Sequence, residues 1–225
     1  MNGYAVVDVE ATGRSPWRHR VVEVAVVQLD AALRTEREFA TLLDPAGPVG
    51  PTHVHRIAQE DVVGAPRFRQ IAPWLLELLA DRVLVGHHVT CDRAFLEREF
   101  ARIGVVLPTV PTLCTMRLAR RLLPQAGGFG LSACVEAAGL GWFPAHTALG
   151  DAQATVELLR HCRRVGSAAQ EPVPAAAAVP WPRLAPGRSA GSREPVRLLR
   201  RWAPLGPWPA GAEGSRPLVG AAGYE

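Results

Sequence analysis

The order of the apolar runs constrains this chain most. Three short runs come first, Tyr4–Val9, Val21–Leu29 and Glu38–Leu43, with connections short enough for antiparallel neighbours. After them the period changes. Phe68, Ile71, Leu75, Leu78 and Leu79 recur at helical spacing and predict an amphipathic helix over about 66–80. Val83–Gly86 reads as a fourth strand. A helix follows from about Asp92 through Leu96, Phe100 and Ile103, and a short strand near Leu113 leads into a helix through Arg121. Leu131–Ala138 reads as another helix, and Leu149, Ala152, Val156, Leu159 and Cys162 mark a last one. Three strands followed by alternating helices and strands give the α/β class, a sheet with helices packed on it.

The pattern stops near residue 166. From Gly166 to Glu225 there are 10 Pro, 8 Gly and 13 Ala among 60 residues, while Leu, Ile, Val and Phe together number 9. That is too little apolar surface to offset the entropy of ordering a chain. The expectation is a folded domain over 1–165 and a disordered Pro/Ala/Gly/Arg-rich tail over 166–225. Trp181, Trp202 and Trp208 are candidate docking points in that tail, and Arg193–Ala203 has the spacing of one short helix. All 25 basic residues are Arg, and the net charge is +4. The tail holds 7 Arg against 4 acids, so most of the excess sits there. A balance this mild permits a polyanionic partner without demanding one.

No run approaches the ~18 apolar residues of a transmembrane helix. Met1–Tyr4 lacks the start of a signal peptide. The expectation is a cytoplasmic protein with no membrane contact. Its four cysteines, Cys91, Cys114, Cys134 and Cys162, form no C-x-x-C pair and are expected to be free thiols.

The acids carry the chemistry. Asp8 and Glu10 stand two apart at the end of the first strand, so both point to one face. Two such charges resist ionising together unless a cation meets them. A divalent ion that prefers oxygen ligands, Mg²⁺ or Mn²⁺, is the natural partner; a solvated strand end is the plain alternative. Asp92 and Asp151 each stand at a helix start, where an acid is ordinary. His146 precedes Asp151 by five residues. The chain has only 7 Asp, and three of them stand at element ends beside apolar runs.

Taken together these segments resemble the DnaQ-like 3′–5′ exonucleases. Asp8-Val9-Glu10-Ala11-Thr12-Gly13 resembles that family's first motif, Val85 through Leu96 with Asp92 the second, and His146 through Ala152 the third. The residue five before Asp151 is His and the residue four before is Thr, so the chain resembles the subtype with a catalytic His rather than Tyr. The likeness covers roughly residues 4–162. It departs from the pattern at His88, where the family usually has Asn, at Cys91, where it usually has Phe, and at Arg56, where it often has Gly.

The resemblance implies a ribonuclease H-like mixed five-stranded sheet flanked by helices. It implies two Mg²⁺ or Mn²⁺ ions held by Asp8, Glu10, Asp92 and Asp151, with Asp8 bridging them and His146 as general base. The implied product is a nucleoside 5′-monophosphate released from the 3′ end of single-stranded DNA, in proofreading or repair. Ala11 and Thr12 are implied to hold the terminal nucleotide, and His88 to affect its fit. Trp17 is a candidate stacking platform, with Phe95 a weaker one that burial would place in the core. Arg14, Arg18 and Arg20 are candidate phosphate contacts. Two alternatives stay open: trimming of RNA ends or short oligoribonucleotides by the same chemistry, and a non-catalytic module that binds nucleic acid or docks a polymerase. Docking of a polymerase or another protein through the C-terminal tail is compatible with catalysis.

Overall fold

In the computed structural model, residues 3–166 and 180–184 are described, and they hold five strands and six α-helices. In chain order these are β1 (Tyr4–Ala11), β2 (Val21–Leu29), β3 (Thr35–Leu42), α1 (Thr52–His55), α2 (Phe68–Leu79), β4 (Val83–Gly86), α3 (Val89–Arg102), β5 (Thr112–Cys114), α4 (Thr115–Leu122), α5 (Leu131–Ala137) and α6 (Ala148–Val165). The strands form one sheet in the order β3-β2-β1-β4-β5. β1, β2 and β3 pair antiparallel, as their short connections predict, whereas β4 runs parallel to both β1 and β5. β1 is therefore the central strand, and it runs on past the end of β4, whose last pair with it is Val6 with Val85.

Helices cover both faces. Ala5, Val7, Val24 and Val26 pack with Phe68, Ile71 and Leu75 of α2 and with Leu96 and Phe100 of α3. Val6, Ala25, Val27 and Leu29 pack on the other face with Ala152, Val156 and Leu159 of α6. Cover on both sides explains why β2 is a nearly continuous apolar run, buried at every residue.

The structure extends several expected elements. β1 continues past Val9, so Glu10 and Ala11 are strand residues, and α3 starts at Val89, which puts Asp92 in its first turn. Helix α1 and a 3₁₀ turn at Gln59–Val62 have no apolar period to announce them. They are organised instead by the buried His55, whose ring bonds the Val49 carbonyl and accepts the Ile57 N–H. Arg56 closes α1 at φ +58°, the left-handed conformation that favours the Gly often found there in the resembled family.

Pro180–Leu184 forms neither helix nor strand, yet Trp181 and Leu184 are half-buried against the core of the α2–α3 face. Trp181 closes a cleft lined by Leu79, Leu84, Leu96, Leu107 and Pro108. The expected disorder of the rest of the tail, the short helix Arg193–Ala203, and Trp202 and Trp208 lie outside the described residues. Among the described residues no helix is long and apolar enough to cross a membrane. All four cysteines are free, three of them buried.

Candidate active site

Alternation along β1 builds the first part of the site. Ala5 and Val7 face α2 and α3, while Tyr4 and Val6 face α6, so Asp8 and Glu10 continue the α6 face. On β2, Ala25 stands opposite Asp8 and Glu23 opposite Glu10. Glu23 is buried, at 4% exposure. Two acids directly opposite on an antiparallel pair repel each other. The register then shifts between Glu10 and Ala11, which leaves Val22 out of step; it packs instead with Leu42 and Ile57. A bulge at a sheet rim beside a site is a recurrent device for re-aiming side chains.

The start of α6 supplies the second part. Thr147 caps the helix, its Oγ1 accepting the Gly150 N–H at 3.1 Å, and the Ala148 N–H donates to Glu23 Oε2 at 2.9 Å. Asp151 sits in the first turn, and its carboxylate accepts the His146 N–H at 3.2 and 3.3 Å. His146 has φ +63°, a left-handed conformation that only over-determined surroundings sustain in a non-Gly residue. A donor atom from each of Glu10, His146 and Asp151 lies within 4.8 Å of the others. The imidazole is thus already against the carboxylates.

The parallel neighbour β4 supplies the third. Beyond the last β1–β4 pair, Val6 with Val85, the Val9 N–H donates to Asp92, which also accepts its own N–H. Gly86 makes room: a Cβ there would stand 2.9 Å from Asp92 Oδ2 and 3.0 Å from Val89 Cα. His87 is buried between Thr115 Oγ1 at 3.0 Å and the Phe129 carbonyl at 2.8 Å, and burial pushes its ring below the usual imidazole range.

The electrostatics follow. Burial first, then the charges of Asp151, Asp92, Glu10 and Glu23, push Asp8 well above the usual carboxylate range. Burial also pushes Asp92 up to about 7, helped by Asp151 and opposed by its two N–H partners. Oxygen donors in this number, with one imidazole beside them, fit a hard divalent cation of the Mg²⁺ or Mn²⁺ kind.

Asp8, Glu10, Asp92, Asp151 and His146 are therefore brought together from three separate segments. Ala11 ends β1. Thr12 follows, its N–H donating to the Arg20 carbonyl at 2.8 Å and its Oγ1 accepting the Arg20 N–H at 3.0 Å. His88 is exposed just before α3. Trp17 is 68% exposed on the loop after β1, with the Arg98 guanidinium over its ring. The core placement expected for Phe95 holds, and the phosphate contact offered for Arg20 is corrected. Phe95 is 3% exposed in the α2–α3 core, so it offers no stacking surface. Arg20 forks onto the buried Glu99 at 2.7 and 2.9 Å, which commits it to holding the loop rather than a phosphate. Arg102 completes that hold by donating to the carbonyls of Pro16, Trp17 and His19.

Glu23, Gly86 and Glu99 escape the sequence reading. For Glu23 there is a signal, a lone acid inside the run Val21–Leu29. For Gly86 and Glu99 there is none, since each acts on a residue that only the fold brings near.

The RNase T exonuclease family model matches residues 5–159. This chain belongs to the DnaQ-like 3′–5′ exonuclease family. DNA polymerase III subunit epsilon of Aquifex aeolicus is 31% identical over 158 residues, 69% of this chain and 77% of that protein. A putative bifunctional exonuclease/endonuclease protein of Mycobacterium tuberculosis is 34% identical over 174 residues, 73% of this chain but only 27% of that protein. Among solved structures, exonuclease X in complex with 5′-overhanging duplex DNA has a TM-score of 0.59 at 24% identity, covering 76% of this chain and 96% of that one. The structural likeness shows the fold, a ribonuclease H-like mixed sheet flanked by helices. The exonuclease is an enzyme of the phosphodiester-hydrolysing class.

Proposed function

We propose that this exonuclease removes nucleoside 5′-monophosphates from the 3′ ends of single-stranded DNA in a cytosolic proofreading or repair role, with two Mg²⁺ or Mn²⁺ ions as cofactors. The convergence of Asp8, Glu10, Asp92 and Asp151 on one sheet end, with His146 against two of them, carries this reading. These four carboxylates would hold the ions. When bound, such ions neutralise the phosphate, lower the pKa of a bound water and stabilise the leaving oxygen. His146 takes the proton of the attacking water, held in place by its own backbone bond to Asp151. The end of β1 at Ala11 and Thr12 receives the terminal nucleotide, and His88 borders it. Trp17 stacks on a base further along the strand.

DNA is favoured over RNA by the likeness to a polymerase epsilon subunit. The epsilon likeness also favours a DNA polymerase as the partner of residues 166–225.

The deciding experiment incubates the full chain with end-labelled single-stranded DNA and matched RNA in Mg²⁺, Mn²⁺ or EDTA. The expected result is shortening of DNA from its 3′ end, lost in EDTA and in Asp8→Ala, and much reduced in His146→Ala. Equal activity in EDTA overturns the metal reading, and faster shortening of RNA overturns the choice of DNA.

A further inference from the structure

Glu23 is a buried acid in the middle of an apolar strand, and none of the roles above uses it. It stands opposite Glu10 and adds its charge to the field that already resists ionisation of Asp8. An apolar side chain at this position would pack without that penalty. What the carboxylate gains is a bond across the fold: Oε2 accepts the N–H of Ala148, the first residue of α6, 125 residues away in sequence. The first N–H groups of a helix have no partner within it, so a side-chain oxygen that accepts one of them holds the helix start in place. The other N-terminal capping bond is local, from Gly150 to Thr147. Glu23 thus ties the start of α6 directly to the strand beside Asp8 and Glu10. Ala148 lies two residues after His146 and three before Asp151.

We infer that Glu23 is a positioning residue whose bond to Ala148 sets the α6 N-terminus over β1, and with it the places of Asp151 and His146. This rests on the reading of those two as site residues. The bond, rather than the charge, is what matters, and three variants of the full chain separate the two. Glu23→Gln keeps an acceptor at the same reach and loses the charge. Glu23→Asp keeps the charge and loses a methylene of reach. Glu23→Ala loses both.

Two measurements are read together: hydrogen exchange of the 147–152 amides, and kcat and KM on a short single-stranded DNA with Mg²⁺. In Glu23→Ala and Glu23→Asp exchange is expected to accelerate ~10-fold or more and kcat to fall by a similar factor, with KM within about twofold. Glu23→Gln is expected to stay near wild type in both. Should Glu23→Ala not fold, the contrast between Asp and Gln carries the same decision. Wild-type exchange in Glu23→Asp, or exchange in Glu23→Gln as fast as in Glu23→Asp, overturns the inference. If the wild-type chain itself shows no nuclease activity, the proposed function fails, and exchange alone still decides whether Glu23 holds α6.

Discussion

On the central strand β1 the face under α2 and α3 is apolar to its end, whereas the face under α6 is apolar for only half of it. On β1 the first face carries Ala5, Val7, Val9 and Ala11; the second starts with Tyr4 and Val6 and ends with Asp8 and Glu10. On β2 the first carries Val24 and Val26, and the second turns from Val27 and Ala25 to Glu23. The same strands thus serve two purposes, divided by side-chain alternation alone. One face is packed for stability. The other gathers like charges, and those of Asp151, Asp92, Glu10 and Glu23 all oppose ionisation of Asp8.

The strongest way to sharpen this contrast is Asp8→Asn. Activity on single-stranded DNA is expected to fall by about 1,000-fold or more, while the melting temperature in EDTA rises, because a buried charge that its neighbours oppose has been removed. A fall in melting temperature would show that Asp8 supports the fold instead. The opposite face should behave inversely. Phe100 is fully buried and meets Phe68 edge-on at 4.9 Å between ring centroids. Phe100→Ala is expected to remove ~3–5 kcal/mol of stability in urea melts, with kcat within a few-fold of wild type wherever the variant is still folded.

The pH dependence separates the faces next. Asp8 and Asp92 have carboxyls raised above the unfolded value of ~3.9, Asp92 to about 7. Between those values the native state holds more protons than the unfolded state. The stabilising contribution of Asp92 is therefore full below pH ~4 and lost as pH rises through about 7, and that of Asp8 is lost in the same direction as pH rises. In EDTA the melting temperature of wild type should fall across this window more steeply than that of Asp8→Asn, and Mn²⁺ should reverse the fall at pH 7. Parallel curves for the two proteins would refute the charged-face account. The smallest effect is expected at Trp181, half-buried on the apolar face. Trp181→Ala should lower stability by about 1–2 kcal/mol and leave activity unchanged. A loss of activity without a loss of stability would mean that this segment reaches the other face.

Much of this was legible in the residues. The strands and the larger helices follow from period, and Asp8 and Glu10 share a face because they are two apart. What period does not carry was missed. Helix α1 depends on the ring bonds of His55 and on a left-handed Arg56. Arg20 reads as a phosphate ligand until Glu99, 79 residues further on, is seen to hold it. The Arg98 guanidinium over the Trp17 ring leaves no mark in the sequence either.

By itself the sequence determined the order of the strands and larger helices, the family, and the five candidate site residues, because each leaves a local mark of spacing or residue type. Only the tertiary structure decided how those five meet. The parallel docking of β4 beside β1 brings Asp92 to the end of the strand that holds Asp8. The bond from Glu23 to Ala148 fastens the α6 N-terminus to the same sheet, and Gly86 leaves room for the Asp92 carboxylate. These are contacts between residues far apart in the chain, and their energy depends on distances that no local pattern encodes.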